Sequence, residues 1–275
     1  MQKDVHFYMT YAVARRVGVA RVEALKLAWA DQFTDDLTVA TLYGIQTQAQ
    51  ADPSGNWADG QIQRTVLTPF HFVPGDDPKT PWMTTPNGAI ANNLINAAGT
   101  ANDVIRFGIA LHALQDSFSH AGFSGWREKA NSCFPWYDPI SVLPNVGHAE
   151  MRVIPDVTNY VWTDPRTGEV IDNRIRTMAC ARATFDWIVR CLRPQADPGL
   201  WHDLHDDLEP LFADTSYDHR KEGLRSMVGA PELHYRQLSE QFTSAYKGEF
   251  VRAAAKHLGL AMAEFDRIPR PNQIN

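Results

Sequence analysis

The chain has 275 residues, 44% hydrophobic and 21% charged, which is enough apolar material to bury a sizeable core. Its formal net charge is −6 and it has no Lys/Arg-rich run, which argues against broad electrostatic binding to stable duplex nucleic acid or to an anionic membrane. A small or single-stranded phosphodiester stays compatible with this balance. Cys133, Cys180 and Cys191 are odd in number and form no CxxC, so they read as reduced thiols. No segment approaches ~18 uninterrupted apolar residues, so no transmembrane helix is expected. The opening "MQKDVHFYMTYAVARRVG" lacks the apolar region and cleavage site of a secretory signal, and a cytoplasmic location is the expectation.

In chain order, Val5 to Val17 and Val19 to Phe33 carry helical periodicity, broken near Gly18. Tyr43 to Thr85, with "ADPSGNWADG" and "TPFHFVPGDDP", is loop-rich. Asn87 to Ala98 and Asn102 to about His120 are the next expected helices. "GFSGWREKANSCFPWYDPISVLPNVG" is irregular. "NYVWTDPRTGEVIDN" places turn residues, Asp164 to Gly168, between two apolar runs and predicts a small hairpin. Arg174 to Leu192, Pro198 to Leu211, Pro231 to Tyr246 and Phe250 to Phe265 predict further helices. The expected fold is therefore mostly α: one multi-helix domain over residues 1–275, with long loops and a small β-hairpin.

"FGIALHALQDSFSHAGF", Phe107 to Phe123, places His112, Asp116 and His120 at successive four-residue steps. Each step turns about 40° around a helix axis, so His112 and Asp116 share a face and His120 lies about 80° from His112. Such a pair is often only a local polar contact. Here Ile109, Ala110, Leu111, Ala113, Leu114 and Phe118 surround it, so the polar stripe is expected to meet the interior. Burying three titratable groups is costly unless something compensates them. Imidazoles and carboxylates are zinc ligands, and a metal would supply that compensation.

Further residues of ligand type lie outside this helix: Asp4 and His6 in "DVH", Asp35 and Asp36 in "FTDD", His71 in "PFHF", and His148, Glu150 and Asp156 in "VGHAEMRVIPD". Their order, with "HF" at His71–Phe72 and "GIALHALQD" at Gly108–Asp116, resembles the zinc-dependent phospholipase C and P1/S1 nuclease superfamily over residues 1–156. The chain is also similar to a bacterial branch carrying "HALQDSFSHAGF". The resemblance implies a helical fold of that type and two or three zinc ions. His71, His112 and Asp116 would hold the first, Asp116 would bridge to a second held by His6, and His120 and His148 would hold the third. Asp35 or its neighbour Asp36 would correspond to the acidic residue that contacts the attacking water or hydroxide. The implied activity is hydrolysis of phosphodiester bonds through a metal-bridging hydroxide, with a small phosphodiester or a phospholipid head group as substrate.

Three departures from the superfamily's pattern stand out. Only three residues separate Asp116 from His120, where the family has five. Arg152 stands where HxxxE would place a carboxylate, so Glu150 or Asp156 must substitute. The chain begins with Met rather than the processed Trp that chelates metal in that family, and Asp4 could replace that ligand. Trp57, Trp82, Trp126, Trp136 and Tyr137 fit either an aromatic wall, with Trp126 and Trp136 against substrate, or packing beneath the loops. No GxSxG, P-loop or GxGxxG is present. "WHDLHDD", His202 to Asp207, offers an HD-type metal phosphohydrolase or an exposed helix face, and a non-catalytic metal-binding interaction module is a further alternative. His219 and His234 read as structural or surface residues, and His257 as a satisfied core histidine.

Overall fold

The computed structural model describes residues 1–38, 44–49, 59–75, 77–135, 143 and 145–268. A π-helical turn, Asp4–Met9, runs directly into α1 (Thr10–Arg16). Gly18, at φ +88°, ends that helix, and Val19 N–H returns to the Ala14 carbonyl. α2 (Arg21–Asp36) follows. The loop-rich region contains a helical stretch that sequence reasoning missed. It comprises Gly60–Ile62, a π-helical turn Gln63–Leu67 and Thr68–Phe70, capped by the Asp59 side chain on Gln61 N–H. α3 (Ala89–Thr100) and α4 (Val104–Ser119) lie within two residues of their expected bounds.

β1 (Val161–Thr163) and β2 (Val170–Asp172) form the expected antiparallel hairpin, with Trp162 opposite Ile171. Then come α5 (Asn173–Leu192), α6 (Leu200–Ala213), α7 (Tyr217–Ser226) and α8 (Tyr235–Phe265). Two expectations need correction here. The pair of helices expected over Pro231 to Phe265 is one continuous helix. A glycine inside a helix costs only about 1 kcal/mol, and Gly248 is exposed, so nothing forces a break. α7, which had no counterpart in the sequence reading, is capped by Ser216 on His219 N–H. Among the described residues, no helix is long and apolar enough to cross a membrane.

α4 is the axis of the molecule. Every residue from Ile105 to Ser119 is buried, and the helix packs against α2, α3, α5 and α8. The main core joins these helices; Trp29 and Phe33 of α2 meet Phe250 of α8 at ring separations of 5.7 and 4.9 Å. A smaller apolar cluster, including Phe72, Phe123, Met151 and Trp162, sits beneath the loops and hairpin. α2 and α4 approach closely at Gly108. A Cβ there would lie 2.6 Å from the Leu27 carbonyl oxygen and 2.8 Å from the Ala30 Cβ. This contact brings the carboxylates of α2 up to the polar stripe of α4.

Because the obstructing atoms are backbone and a methyl group, Gly108→Ala must push the two helices apart. The expected outcome is a loss of about 1–3 kcal/mol, read as a lower melting temperature by circular dichroism. An unchanged melt would mean that the contact is slack.

Candidate metal centre

Asp116 stands fully buried on α4 with nitrogen atoms around both of its oxygens. His6 Nε2 lies 3.2 Å from Oδ1; His71 Nδ1 and His112 Nε2 lie 3.0 and 3.2 Å from Oδ2, and His120 Nδ1 lies 3.7 Å from it. The Met1 amine is 2.5 Å from Oδ1 and 3.3 Å from Asp156 Oδ1. Different local structures deliver each group. His6 belongs to the first π-helical turn, and His71 directly follows the helical segment that contains the second. Asp31 and Asp35 lie one turn apart on α2. His120 is the C-cap of α4, and His148 and Asp156 lie in tight turns beyond it.

The proton inventory of the histidines is informative. A neutral imidazole has one N–H and one lone pair, and the partner of the N–H fixes which nitrogen is which. His71 Nε2 donates to the Thr47 carbonyl at 2.7 Å, His120 Nδ1 to the His71 carbonyl at 2.6 Å, and His148 Nδ1 to the Arg152 carbonyl at 2.7 Å. His6 Nδ1 donates to Asp31 Oδ1 and Gln115 Oε1 at 3.0 and 2.8 Å. In the neutral form that metal ligation requires, the other nitrogen of each ring would present a lone pair to a carboxylate: His71 Nδ1 and His6 Nε2 to Asp116, His120 Nε2 and His148 Nε2 to Asp156. Lone pair against carboxylate is repulsive unless a cation lies between them. Among the described residues, buried His6 Nε2 and His112 Nδ1 have no hydrogen-bond partner.

Among the described residues, three sets of donor atoms are close enough to hold a metal ion: His6, Asp31 and His112; Asp35, His71 and His112; and His120, His148 and Asp156. The first is sealed, with side chains at 0% exposure, whereas Asp35 at 31%, Asp156 at 19% and His148 at 15% form a rim open to solvent. Electrostatics follow from this crowding. Burial alone would lower the His112 imidazole, but the Asp116 and Asp35 carboxylates outweigh it and hold it at about 10. Burial would raise Asp116, but the Met1 amine, His120 and His112 hold it well below the usual carboxylate range. Burial lowers His148, with Asp156 opposing and His120 assisting.

Of the residues expected from the sequence, His6, Asp35, His71, His112, Asp116, His120, His148 and Asp156 are brought together. Three are not, and these are corrections. Asp4 turns away into a buried ion pair with Arg220 (Oδ2 to Nε 2.6 Å), because a charge buried in the core needs its counter-ion. Asp36 accepts from the Tyr235 hydroxyl, since adjacent helix residues point about 100° apart and only Asp35 faces α4. Glu150 accepts the backbone N–H groups of Cys133 and Phe134, so Asp156 is the carboxylate in the third set. Trp126 packs edge-on against Trp82 at 5.3 Å, beside the main core. Trp136, with Trp57 and Tyr137, lies outside the described residues.

The histidines of "WHDLHDD" are on the exposed face of α6, His202 at 83% and His205 at 41% exposure. His257 is buried and donates Nε2–H to the Pro69 carbonyl, with burial pushing its imidazole down to about 4. Asp31 was missed. Its one detectable trace is the i, i+4 spacing to Asp35, which puts both on one face of α2.

Residues 1–265 match the family described as "Family of unknown function (DUF6765)". The chain belongs to that family. Comparison with curated proteins and with solved structures returned no match. The family description assigns no chemistry, so the donor geometry itself carries the functional reading.

Two outcomes separate the cluster from its neighbours. Asp4→Asn strands the buried Arg220 charge and should cost about 3–5 kcal/mol, with metal content per folded chain unchanged. Asp35→Asn should do the reverse, lowering metal content in elemental analysis with little loss of stability.

A second test uses metal-stripped protein. The raised His112 stabilises the fold fully below its unfolded value of about 6.5, and this contribution is lost as pH rises through about 10. The depressed Asp116 stabilises it above about 3.9, and that contribution is lost as pH falls. Thermal melts should therefore give maximal stability at roughly pH 4–6.5 and a decline toward pH 10.

Proposed function

We propose that this protein is a zinc-dependent hydrolase of phosphodiester bonds, phospholipase C-like or nuclease-like, acting on a small phosphodiester or a phospholipid head group. The observation that carries the reading is the convergence of imidazole nitrogens on Asp116 and Asp156, with the rings of His6, His71, His120 and His148 each held by a hydrogen bond at the other nitrogen. That is how proteins prepare imidazole ligands.

Zinc fits the spacing. Tetrahedral zinc with ligand bonds of about 2.0–2.1 Å has donor atoms about 3.4 Å apart. His71 Nδ1 and His112 Nε2 lie 3.2 Å from each other and 3.0 to 3.8 Å from Asp116 Oδ2 and Asp35 Oδ1. His71, His112 and Asp116 would hold one ion, with the Asp35 carboxylate beside its open position. The other oxygen of Asp116, with His6, would hold a second, and His120, His148 and Asp156 a third. Zinc ions so placed supply Lewis acidity toward the phosphoryl oxygens and a water of lowered pKa.

The chain's own residues supply the remainder. Asp116 addresses two donor sets with two oxygens and so sets their separation. Asp35, the most exposed carboxylate of the cluster, faces the side from which water and substrate arrive and is placed to orient the attacking water. Phe72, stacked on His120 at 4.4 Å, keeps that ring in register and excludes water from its face. The solvent-facing rim favours catalysis over a purely structural role, because structural zinc sites are closed by four protein ligands.

Elemental analysis of protein expressed with ample zinc, joined to a panel of bis-p-nitrophenyl phosphate, phosphatidylcholine and single-stranded DNA, tests the reading. More than one zinc per chain and turnover of at least one diester are expected. Less than half a zinc per chain would defeat it, and full zinc without turnover would leave the metal-binding module as the better description.

Asp116→Asn should be the most damaging conservative substitution, lowering metal content at two sites and abolishing activity; wild-type metal content in that variant would refute the bridging role. A chelator should lower the melting temperature, because His71 and His112 join distant segments, while leaving the helices intact by circular dichroism.

A further inference from the structure

We infer that Asp31 is a positioning residue that fixes the ring nitrogens of His6 and His112 together and thereby couples the two donor sets meeting at Asp116. This rests on the metal-centre reading and adds a residue to it. Asp31 is fully buried. Its Oδ1 lies 3.0 Å from His6 Nδ1 and 3.4 Å from His112 Nδ1, and the two rings stack with centroids 4.1 Å apart. The opposite edges of the same rings, both Nε2 atoms, face Asp116. One carboxylate therefore stands behind both imidazoles while another stands in front.

The protons around Asp31 can be followed without ambiguity. Thr10 Oγ1 donates its single proton to Asp31 Oδ2 at 2.7 Å, so its oxygen must accept from elsewhere. Gln115 Nε2 supplies that hydrogen bond at 2.8 Å and a second to Thr184 Oγ1 at 3.2 Å. The amide orientation of Gln115 is thereby settled, and its carbonyl Oε1 must face His6 Nδ1 at 2.8 Å. Nδ1 then carries the proton and Nε2 the lone pair, the tautomer that a ligand to the Asp116 side requires. Thr10, Gln115, His6 Nδ1 and Asp31 form a closed, buried ring of hydrogen bonds. Asp31 Oδ1 accepts from His6 Nδ1 and Oδ2 from Thr10 Oγ1, while His112 Nδ1 lies 3.4 Å from Oδ1 without a hydrogen bond, so Asp31 serves as a support behind the two rings rather than as a ligand. A negative charge behind an imidazole raises its basicity as a ligand.

Zinc titration against a chromophoric chelator, on wild type and Asp31→Asn, tests this. Asp31→Asn is expected to weaken two of the zinc ions by about 10- to 100-fold. The ion assigned to His120, His148 and Asp156 should be retained at wild-type affinity. Long-range proton–nitrogen NMR of the zinc-loaded wild type should show His6 and His112 protonated at Nδ1; in Asp31→Asn the His112 ring should lose its single tautomer while Gln115 still holds that of His6, a change that a merely structural role would not produce. Should Asp31→Asn fail to fold, Thr10→Val keeps the charge and removes one support, and is expected to weaken the same two ions by about 2- to 10-fold. Wild-type zinc affinity with unchanged tautomers in a folded variant would overturn the role of Asp31 alone. Failure of the wild type to bind zinc would instead overturn the metal-centre reading and, with it, this inference.

Discussion

The buried carboxylate of Asp116 is the constraint on which the rest of the molecule depends. An ionised carboxylate inside a protein is tolerated only when cations or hydrogen-bond donors surround it. Asp116 collects the Met1 amine, His6, His71, His112 and His120, drawn from the N-terminal turn, the segment after Thr68–Phe70, and α4 with its C-cap. Satisfying one charge thus ties segments far apart in sequence to one point. Four carboxylates, Asp31, Asp35, Asp116 and Asp156, meet within this cluster, a concentration of negative charge suited to divalent cations.

Close approach of α2 and α4 makes that point reachable. Gly108 removes the side chain that would separate the helices, and α2 then presents Asp31 and Asp35 on consecutive turns against the stripe of His112 and Asp116. The aromatic contacts of Trp29 and Phe33 with Phe250 clamp α2 from its other side, so apolar packing holds the polar geometry in place. The exposure gradient, from the sealed pair of His6 and His112 to the open rim of Asp35, His148 and Asp156, gives the cluster an inside and an outside. A hydrolase needs both: buried ligands for a rigid centre, and a rim where water and substrate enter. Within a family of unknown function, this gradient supports the proposed chemistry over a closed structural site.

Much of this was readable from residue order. Four-residue spacing places His112, Asp116 and His120 along one helix, and periodicity with turn residues locates α2 to α5 and the hairpin, because these are local consequences of backbone geometry. Where the reading failed, distant partners decided. Asp4 and Glu150 have the right residue types and neighbourhood, but Arg220, 216 positions away, claims one and backbone amides of Cys133 and Phe134 claim the other. Asp35 and Asp36 are equivalent as letters; the tilt of α2 against α4, and a tyrosine on α8, separate them.

The sequence by itself determined the helical architecture, the hairpin and the placing of His112, Asp116 and His120 along one helix; that His6, His71 and His148 join them is what the resemblance in residue order implied. Periodicity and residue chemistry are written locally. Only the tertiary structure decided that Asp156 rather than Glu150 completes the outer set, and that Asp31 stands behind His6 and His112. It also decided which nitrogen of each ring points inward, because the backbone carbonyls and the Gln115 amide that hold the opposite nitrogens are placed by folding and carry no mark in the order of residues.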